Sequence, residues 1–204
     1  RYLYCNSTQL TELDISNNLE LAGLTFSSNQ IPNIDVTKHI KLRTIYSNGT
    51  PLGAIDVTNN TELVTFNCSA NQLTKLDVTN CEKLLYFYCH VNEIEELDVS
   101  KNTRLRHFYC SSNKITKLDL MAMKDLGRLY CDNNLFTALD ISGNEKLTYF
   151  TCPVNQLETL DISNNKQLQT LNIFNNNLSS EVIDKILIDL DAHGRSNGNL
   201  NYSR

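Results

Sequence analysis

The sequence has no run of eighteen apolar residues, no excess of basic side chains and no tryptophan. The first absence predicts that nothing here spans a membrane, because a transmembrane helix needs about 20 predominantly apolar residues. The formal net charge is −5 and both signs are scattered, so the chain offers no positive field for nucleic acid. A signal peptide is also missing, and the chain starts at Arg1 without methionine, which predicts a trimmed piece of a longer protein.

What the sequence does contain is a pattern that recurs every 21 residues. A leucine opens each unit, an apolar residue follows three positions later, and an asparagine (threonine once) follows eight positions later. Two further apolar columns and an aspartate column keep the same register. The opening leucines are Leu21, Leu42, Leu63, Leu84, Leu105, Leu126, Leu147 and Leu168, and the aspartates run at the same interval from Asp14 to Asp161. Six columns in one register exclude coincidence.

The start of each unit alternates apolar and polar residues, which predicts a short strand with one face inward. The asparagine turns the chain out of the strand and can satisfy backbone groups of neighbouring coils. The second half of the unit is rich in β-branched residues and asparagine, which disfavour a helix. The predicted fold is an α/β-type repeat solenoid, a right-handed superhelix with a parallel concave β-sheet, a mostly irregular or extended convex side and a C-terminal capping helix.

Two regions are predicted. Residues 1–178 form about nine coils, the first truncated, whose strands at about 4.8 Å spacing make a sheet roughly 40 Å long. Residues 179–204 form the C-terminal cap, with a helix over about 180–192 that Gly194 ends, and an edge tail through Leu200 and Tyr202. Because the chain enters in mid-strand with an uncovered apolar end, we expect further repeats or a cap before Arg1.

The unit reads L-x-x-L-x-C-x-x-N-x-L-x-x-L-D-V-S-x-N-x-x, which has the form of a leucine-rich repeat. With its inward cysteine, it resembles the cysteine-ladder repeats of bacterial internalin-type surface proteins over residues 3–178. The resemblance implies a secreted or wall-attached protein, often an adhesin that binds host proteins or glycans.

The cysteines are interpreted as small buried hydrophobes. Ligands of a metal ion converge on one point, whereas a single column of thiols forms a line, and parallel Cβ vectors disfavour disulfides between neighbours. Cys81 lies off the column on the convex side, where an accessible thiol is the alternative to a buried one. The column comprises Cys5, Cys68, Cys89, Cys110, Cys131 and Cys152.

The aspartate column raises the alternative of calcium binding, because hard cations prefer carboxylate oxygens. One acid per coil does not supply six converging oxygens, so hydrogen bonds to local turn amides are the favoured interpretation.

Two coils are irregular. Gly49, Thr50, Pro51 and Gly53 predict a local distortion of the second, and Met121 and Met123 predict altered convex packing in the fifth.

The outward strand positions, two, four, six and seven residues after each opening leucine, hold eight of the nine tyrosines. Tyrosine and arginine are enriched at binding hot spots, so we predict that the central coils bind a ligand. The alternative is that the tyrosines only stabilise the sheet. The predicted ligand-binding residues, termed here the tyrosine patch, are Tyr86, Tyr88, His90, His107, Tyr109, Arg128, Tyr130, Asp132 and Tyr149.

These features favour a monomeric protein-binding module of a secreted or surface bacterial protein, with an adhesin-type, host-surface partner. A carbohydrate-binding module that uses the same face and a structural spacer are the alternatives. His90, His107 and Asp132 do not suggest a nucleophile–base arrangement, and an open sheet does not exclude water, so no enzyme activity is predicted. No cofactor or metal is predicted either.

Overall fold

The protein is described by a computed structural model that covers residues 1–194 and, for the backbone, residues 199–201. Ten strands form one parallel sheet in chain order, and one helix follows the ninth strand. The predicted solenoid is confirmed. The strands are β1 Tyr2–Tyr4, β2 Gly23–Thr25, β3 Thr44–Tyr46, β4 Thr65–Asn67, β5 Tyr86–Tyr88, β6 His107–Tyr109, β7 Arg128–Tyr130, β8 Tyr149–Thr151, β9 Thr170–Asn172 and β10 Asn199–Asn201.

The strand register follows the repeat. From β1 to β9, each strand residue pairs with the equivalent residue of the next coil, as Phe87 pairs with Phe108. The strands contain only three residues each, fewer than the six alternating positions of the unit. From Arg1 to Ser179, the segments between strands contain turns and irregular backbone without a helix, as predicted for the convex side. Short strands and tight turns are what a 21-residue coil can accommodate.

The core is a stack of equivalent side chains rather than a single cluster around one centre. The middle residue of each central strand is fully buried, and Phe66, Phe87 and Phe108 lie nearly parallel with centroids 5.8 and 5.4 Å apart. The opening leucines and the cysteines line the same interior. Each coil therefore buries its apolar face only against its neighbours, and stability is shared along the array.

Two buried columns of asparagine hold adjacent coils together. The inner asparagine column is the one eight residues after each opening leucine. Its member Asn113 donates to the carbonyls of Cys89 and Cys110, both at 3.0 Å, and accepts from Ile94 N at 3.0 Å. The predicted role of this column, satisfaction of backbone groups in the neighbouring coil, is confirmed.

An outer asparagine column lies ten residues further along each unit, on the convex side, and was not anticipated from the sequence. Asn102 in this column donates to Val78 O at 2.9 Å and to Cys81 O at 3.0 Å. Its Oδ1 is buried and lacks a partner, as do those of Asn60, Asn144 and Asn165. The inner column thus uses both ends of the amide, and the outer column uses only the donor end.

The C-terminal helix α1 spans Ser180–Ala192. Ser179 is its N-cap and accepts from Val182 N, while Ile186 and Leu190 are buried against the last coils. Lys185 reaches Asp161 at 2.8 Å, and an imidazole nitrogen of His193 lies 3.1 Å from Ser163 O. Gly194 follows with φ +67°, the left-handed conformation that commonly ends a helix. The capping helix is therefore confirmed.

The predicted edge tail is confirmed in part. Asn199–Asn201, which includes Leu200, pairs in parallel with β9. Tyr202, the other residue of that prediction, lies outside the described residues.

In the second coil, the expected distortion is confined to a tight turn in which Leu52 N donates to Thr50 O at 2.6 Å. The adjacent strands keep their register because Gly49 adopts the same left-handed conformation as its counterparts in other coils.

Candidate ligand-binding face

The tyrosine patch lies on the outer face of four neighbouring strands, β5 to β8. In each of these strands the middle residue is buried and the two flanking residues are half-buried. The flanking positions belong to Tyr86 and Tyr88, His107 and Tyr109, Arg128 and Tyr130, and Tyr149. His90 and Asp132 follow their strands by two residues and are also half-buried. The alternation inferred from the repeat therefore places these side chains on one surface.

Direct ring contacts join most of this surface. Tyr88 meets Tyr109 edge to face with centroids 4.9 Å apart, and Tyr109 meets Tyr130 at 4.3 Å with the planes tilted by 54°. Tyr86 meets His107 edge to face at 5.1 Å. Burial raises the pKa of Tyr88 and Tyr130, so both phenols stay protonated at neutral pH. The aromatic side chains thus form one contiguous layer across adjacent strands.

Arg128 is held in place by aromatic neighbours. Its guanidinium carbon lies 4.7 Å from the ring centroid of Tyr149, a cation–π contact. The neighbouring Tyr109 hydroxyl is the main influence that raises the pKa of Arg128. Burial lowers the pKa of His107, and the positive charges of Arg128 and Arg106 lower it further. Arg128 is therefore a fixed positive charge beside a neutral imidazole.

One edge of the patch carries a short polar row. Ser111 Oγ donates to Asp132 Oδ1 at 2.5 Å, so one oxygen of this carboxylate already accepts a hydrogen bond within the protein. His90 Nδ1 is buried without a partner. Burial lowers the pKa of His90, although the charge of Asp132 opposes this shift. Asp132 therefore orients a serine hydroxyl rather than an imidazole, which is not the order that a nucleophile–base pair requires.

Not every outward tyrosine joins the patch. Tyr46 lies on β3 and is separated from Tyr88 by Asn67 of the intervening strand. Tyr2 and Tyr4 lie on β1, stack on each other at 6.2 Å and are more than half exposed. The patch is therefore a central feature of the sheet, and the tyrosines of β1 form a second pair at one end.

The cysteine column lies directly beneath this face. Cys68, Cys89, Cys110, Cys131 and Cys152 are buried, Cys5 is partly exposed, and all seven thiols are free. Burial raises the pKa of Cys89 and Cys131 well above the ordinary value. The interpretation of these residues as small core side chains is confirmed. Within residues 1–194, no three His, Cys, Asp or Glu side chains converge as a metal site would need.

Cys81 is buried and occupies a place in the outer asparagine column. Its Sγ lies 3.5 Å from Val57 O and 3.8 Å from Asn60 O, the acceptors that an asparagine amide would use there. Burial is the main reason that its pKa rises to about 12. Of the two alternatives for Cys81, the buried one is confirmed.

The aspartate column caps local turns. Asp98 Oδ1 accepts from Ser100 N at 2.9 Å, and Asp56 Oδ1 accepts from both the amide and the hydroxyl of Thr58. These hydrogen bonds lower the pKa of Asp98 and Asp56. In Asp161 the bond from Lys185 is the largest influence, and the pKa falls to about 2. The predicted bonding of this column to turn amides is confirmed.

A column of left-handed backbone borders the face, two residues after the cysteine position, and was not anticipated from the sequence. Its members are Ser7, Ser28, Gly49, Ala70, Val91, Ser112, Asn133, Val154 and Asn175, with φ between +51° and +64°. Serine, glycine, alanine and asparagine at a fixed place in each unit were the only signal for it. Val91 and Val154 are β-branched residues in this conformation, which is sterically unfavourable.

Known proteins share both the fold and the repeat. A sequence model described as Leucine Rich Repeat matches residues 167–188. The functional domain of InlJ from Listeria monocytogenes, which includes a cysteine ladder, superposes with a TM-score of 0.88 at 37% identity. That match covers 91% of this chain and 42% of the InlJ chain. This protein therefore has an internalin-like leucine-rich-repeat fold with a cysteine ladder.

Two other solved structures agree with this leucine-rich-repeat protein in fold. The internalin InlF from Listeria monocytogenes has a TM-score of 0.77 at 20% identity, over 93% of this chain and 64% of that one. The protein LIC12759 from Leptospira interrogans has a TM-score of 0.76 at 26% identity, over 85% and 49%. The chain thus spans less than two thirds of these relatives. The comparison with curated proteins found no match.

The internalin-like fold is typical of binding scaffolds rather than enzymes, which agrees with an open sheet face. The helix α1 has 13 residues, and the described part of the chain contains no helix long and apolar enough to cross a membrane.

Proposed function

We propose that this leucine-rich-repeat protein is a protein-binding module of a secreted or surface bacterial protein, of the adhesin type, and that the tyrosine patch contacts the partner. The contiguous aromatic layer on the outer face of β5 to β8 is the observation that carries the proposal. Aromatic residues placed on a rigid scaffold lose little conformational entropy on binding and supply large contact area. An exposed aromatic surface of this kind usually marks an interaction site.

The size of the patch fits the centre of a protein interface. Four strands at about 4.8 Å spacing span roughly 14 Å, so the patch would fill only the central part of the roughly 800 Å² that each partner buries in a standard complex. Hot-spot residues cluster in the middle of such interfaces and are surrounded by weaker contacts. The serines, threonines and asparagines of the flanking coils would supply that polar rim.

The ring geometry favours a protein partner over a glycan. Sugar rings stack on exposed faces of aromatic side chains, whereas Tyr88 and Tyr109 cover each other edge to face and Tyr86 does the same with His107. The partner therefore meets a mixture of ring edges, hydroxyl groups and one guanidinium. Such a surface suits a protein that offers both apolar and polar groups.

The double substitution Tyr109→Ala and Tyr130→Ala tests the proposal. We expect it to remove binding of protein partners captured from host-cell surface extracts, because it deletes two rings at the centre of the layer. Unfolding free energy should change by less than about 2 kcal/mol, since the rings lie on the surface. Thr44→Ala with Thr65→Ala, on the same sheet face in β3 and β4, is the matched control and should leave binding intact. Equal retention by both double variants would contradict the proposed site.

A glycan array probed with the same variants addresses the alternative. Selective binding of a sugar class that the tyrosine substitutions abolish would replace the protein partner with a carbohydrate. If neither proteins nor glycans distinguish the variants from the original chain, the module is a spacer and the proposal is wrong.

A further inference from the structure

The strand segments of the sheet carry charged side chains of one sign only. Across β1 to β9, together with the residue that precedes each strand, there are four arginines, at positions 1, 43, 106 and 128. None of the 23 acidic residues and none of the lysines of the chain lies in these segments. A protein with a net charge of −5 thus presents a sheet whose only formal charges are guanidinium groups.

Acids and lysines pair with each other elsewhere on the molecule. Lys41 meets Glu20 and Lys146 meets Asp125, both at 2.5 Å, on the segments between strands. Within residues 1–194, all six ion pairs use lysines, so Arg128 has no carboxylate within ion-pair distance. Asp132, the acid of the tyrosine patch, is already bonded to Ser111.

Arg128 is also fixed in position before any ligand arrives. The ring of Tyr149 lies against its guanidinium, and Tyr109 projects from the adjacent strand, so Arg128 loses less entropy on binding than a free arginine side chain would. A guanidinium offers several N–H donors in a planar fork that matches a carboxylate, and arginine stacks on aromatic rings where lysine would not. An unpaired arginine enclosed by tyrosines is suited to a ligand that brings an anion with apolar surroundings.

We propose that Arg128, with Tyr109 and Tyr149, forms a subsite that takes a carboxylate of the protein partner, an aspartate or glutamate side chain or a chain terminus. This inference rests on the proposed function and adds the chemistry of the ligand to it. The surrounding rings of Tyr109 and Tyr130 then contact apolar residues next to that carboxylate. Asp132 at the edge of the patch disfavours a second acid there, so the acidic group has a defined place.

Selection of binders from a displayed library of random twelve-residue peptides tests this chemistry with the 204-residue chain. We expect the selected peptides to share one acidic residue beside aromatic or apolar residues. Replacing that acid of the peptide by its amide should weaken binding on the order of 10- to 100-fold, the range for a hydrogen bond to a charged group. The substitution Arg128→Gln in the protein should weaken it by a similar factor. Combining the two changes should cause little further loss, because each removes the same contact.

Control variants separate this inference from the proposed function. Arg43→Gln removes an arginine next to β3, four strands or about 19 Å away, and should leave affinity unchanged. Arg128→Lys keeps the charge without the planar fork and should restore only part of the affinity. Free and amidated forms of each peptide distinguish a terminal carboxylate from a side-chain one.

The possible outcomes decide between the two ideas. Peptides that depend on Tyr109 and Tyr130 but bind the Arg128→Gln variant normally would overturn the carboxylate subsite and leave the protein-binding face intact. Peptides that bind irrespective of both sets of substitutions, or the absence of any selected binder, would count against the face itself. Binding of a sialylated glycan that depends on Arg128, with no peptide selected, would refute a protein source of the carboxylate.

Discussion

Asn113 and Asn102 are both buried asparagines of the central coils, but we expect their replacement to cost very different amounts of stability. Asn113 belongs to the inner column and uses both ends of its amide. Asn102 belongs to the outer column, and its Oδ1 is buried without a partner. The comparison therefore tests whether hydrogen-bond satisfaction, rather than burial of an amide as such, makes these columns stabilising.

The cost at Asn113 follows from what each backbone group would lose. In Asn113→Ala, the carbonyls of Cys89 and Cys110 lose one donor but keep another, from Asn92 and Asn134 respectively, each at 3.0 Å. The amide of Ile94 loses the acceptor that Asn113 Oδ1 provides. An orphaned buried donor costs about 1–3 kcal/mol and each lost hydrogen bond about 1 kcal/mol, so we expect a loss of about 3–5 kcal/mol.

The cost at Asn102 should be much smaller. Its two acceptors keep backbone donors of their own, because Val78 O also accepts from Cys81 N and Cys81 O accepts from Leu84 N. The substitution Asn102→Cys removes an unsatisfied oxygen and introduces a side chain that the preceding coil already accommodates at Cys81. We expect a change in unfolding free energy within about 1 kcal/mol.

Urea unfolding followed by circular dichroism measures both effects, with the slope of the transition as a check that the same cooperative unit unfolds. Asn113→Cys serves as the control for residue type, and it should be destabilising by nearly as much as Asn113→Ala. Equal losses at Asn113 and Asn102 would refute the hydrogen-bond argument and indicate that packing of the amide decides the stability of both columns.

Two further predictions concern the thiols and the left-handed backbone. At pH 8, a thiol reagent should modify only Cys5 quickly in the folded protein and all seven cysteines in denaturant, because the other six thiols are buried and inaccessible to the reagent; rapid modification of Cys81 would contradict its buried position. Val91→Asn should stabilise the protein by about 0.5–1 kcal/mol, since asparagine tolerates the φ of +57° that valine adopts there. Thermal unfolding with Ser112→Asn as the comparison measures this, and an unchanged or lowered midpoint for Val91→Asn would show that the valine is unstrained.

Much of the fold was predictable because the repeat encodes it locally. The spacing of residue types within each 21-residue unit predicts where its strand lies, which side chains face inward and where the chain turns. The same register carries these assignments from coil to coil, so the buried phenylalanines, the cysteine ladder and the outward tyrosines followed from spacing alone. The capping helix was also readable, because Ser179, the apolar spacing of Ile186 and Leu190, and Gly194 are local signals.

Only the tertiary structure decided how side chains of different coils meet. The sequence places Arg128 and Tyr149 at equivalent positions 21 residues apart, but their cation–π contact depends on side-chain directions across the sheet. The unequal hydrogen bonding of the two asparagine columns and the burial of Cys81 depend on the distances between neighbouring coils. A repeat determines which residues become neighbours, whereas the packing of those neighbours determines which groups are satisfied, which stay unpaired and which remain available to a ligand.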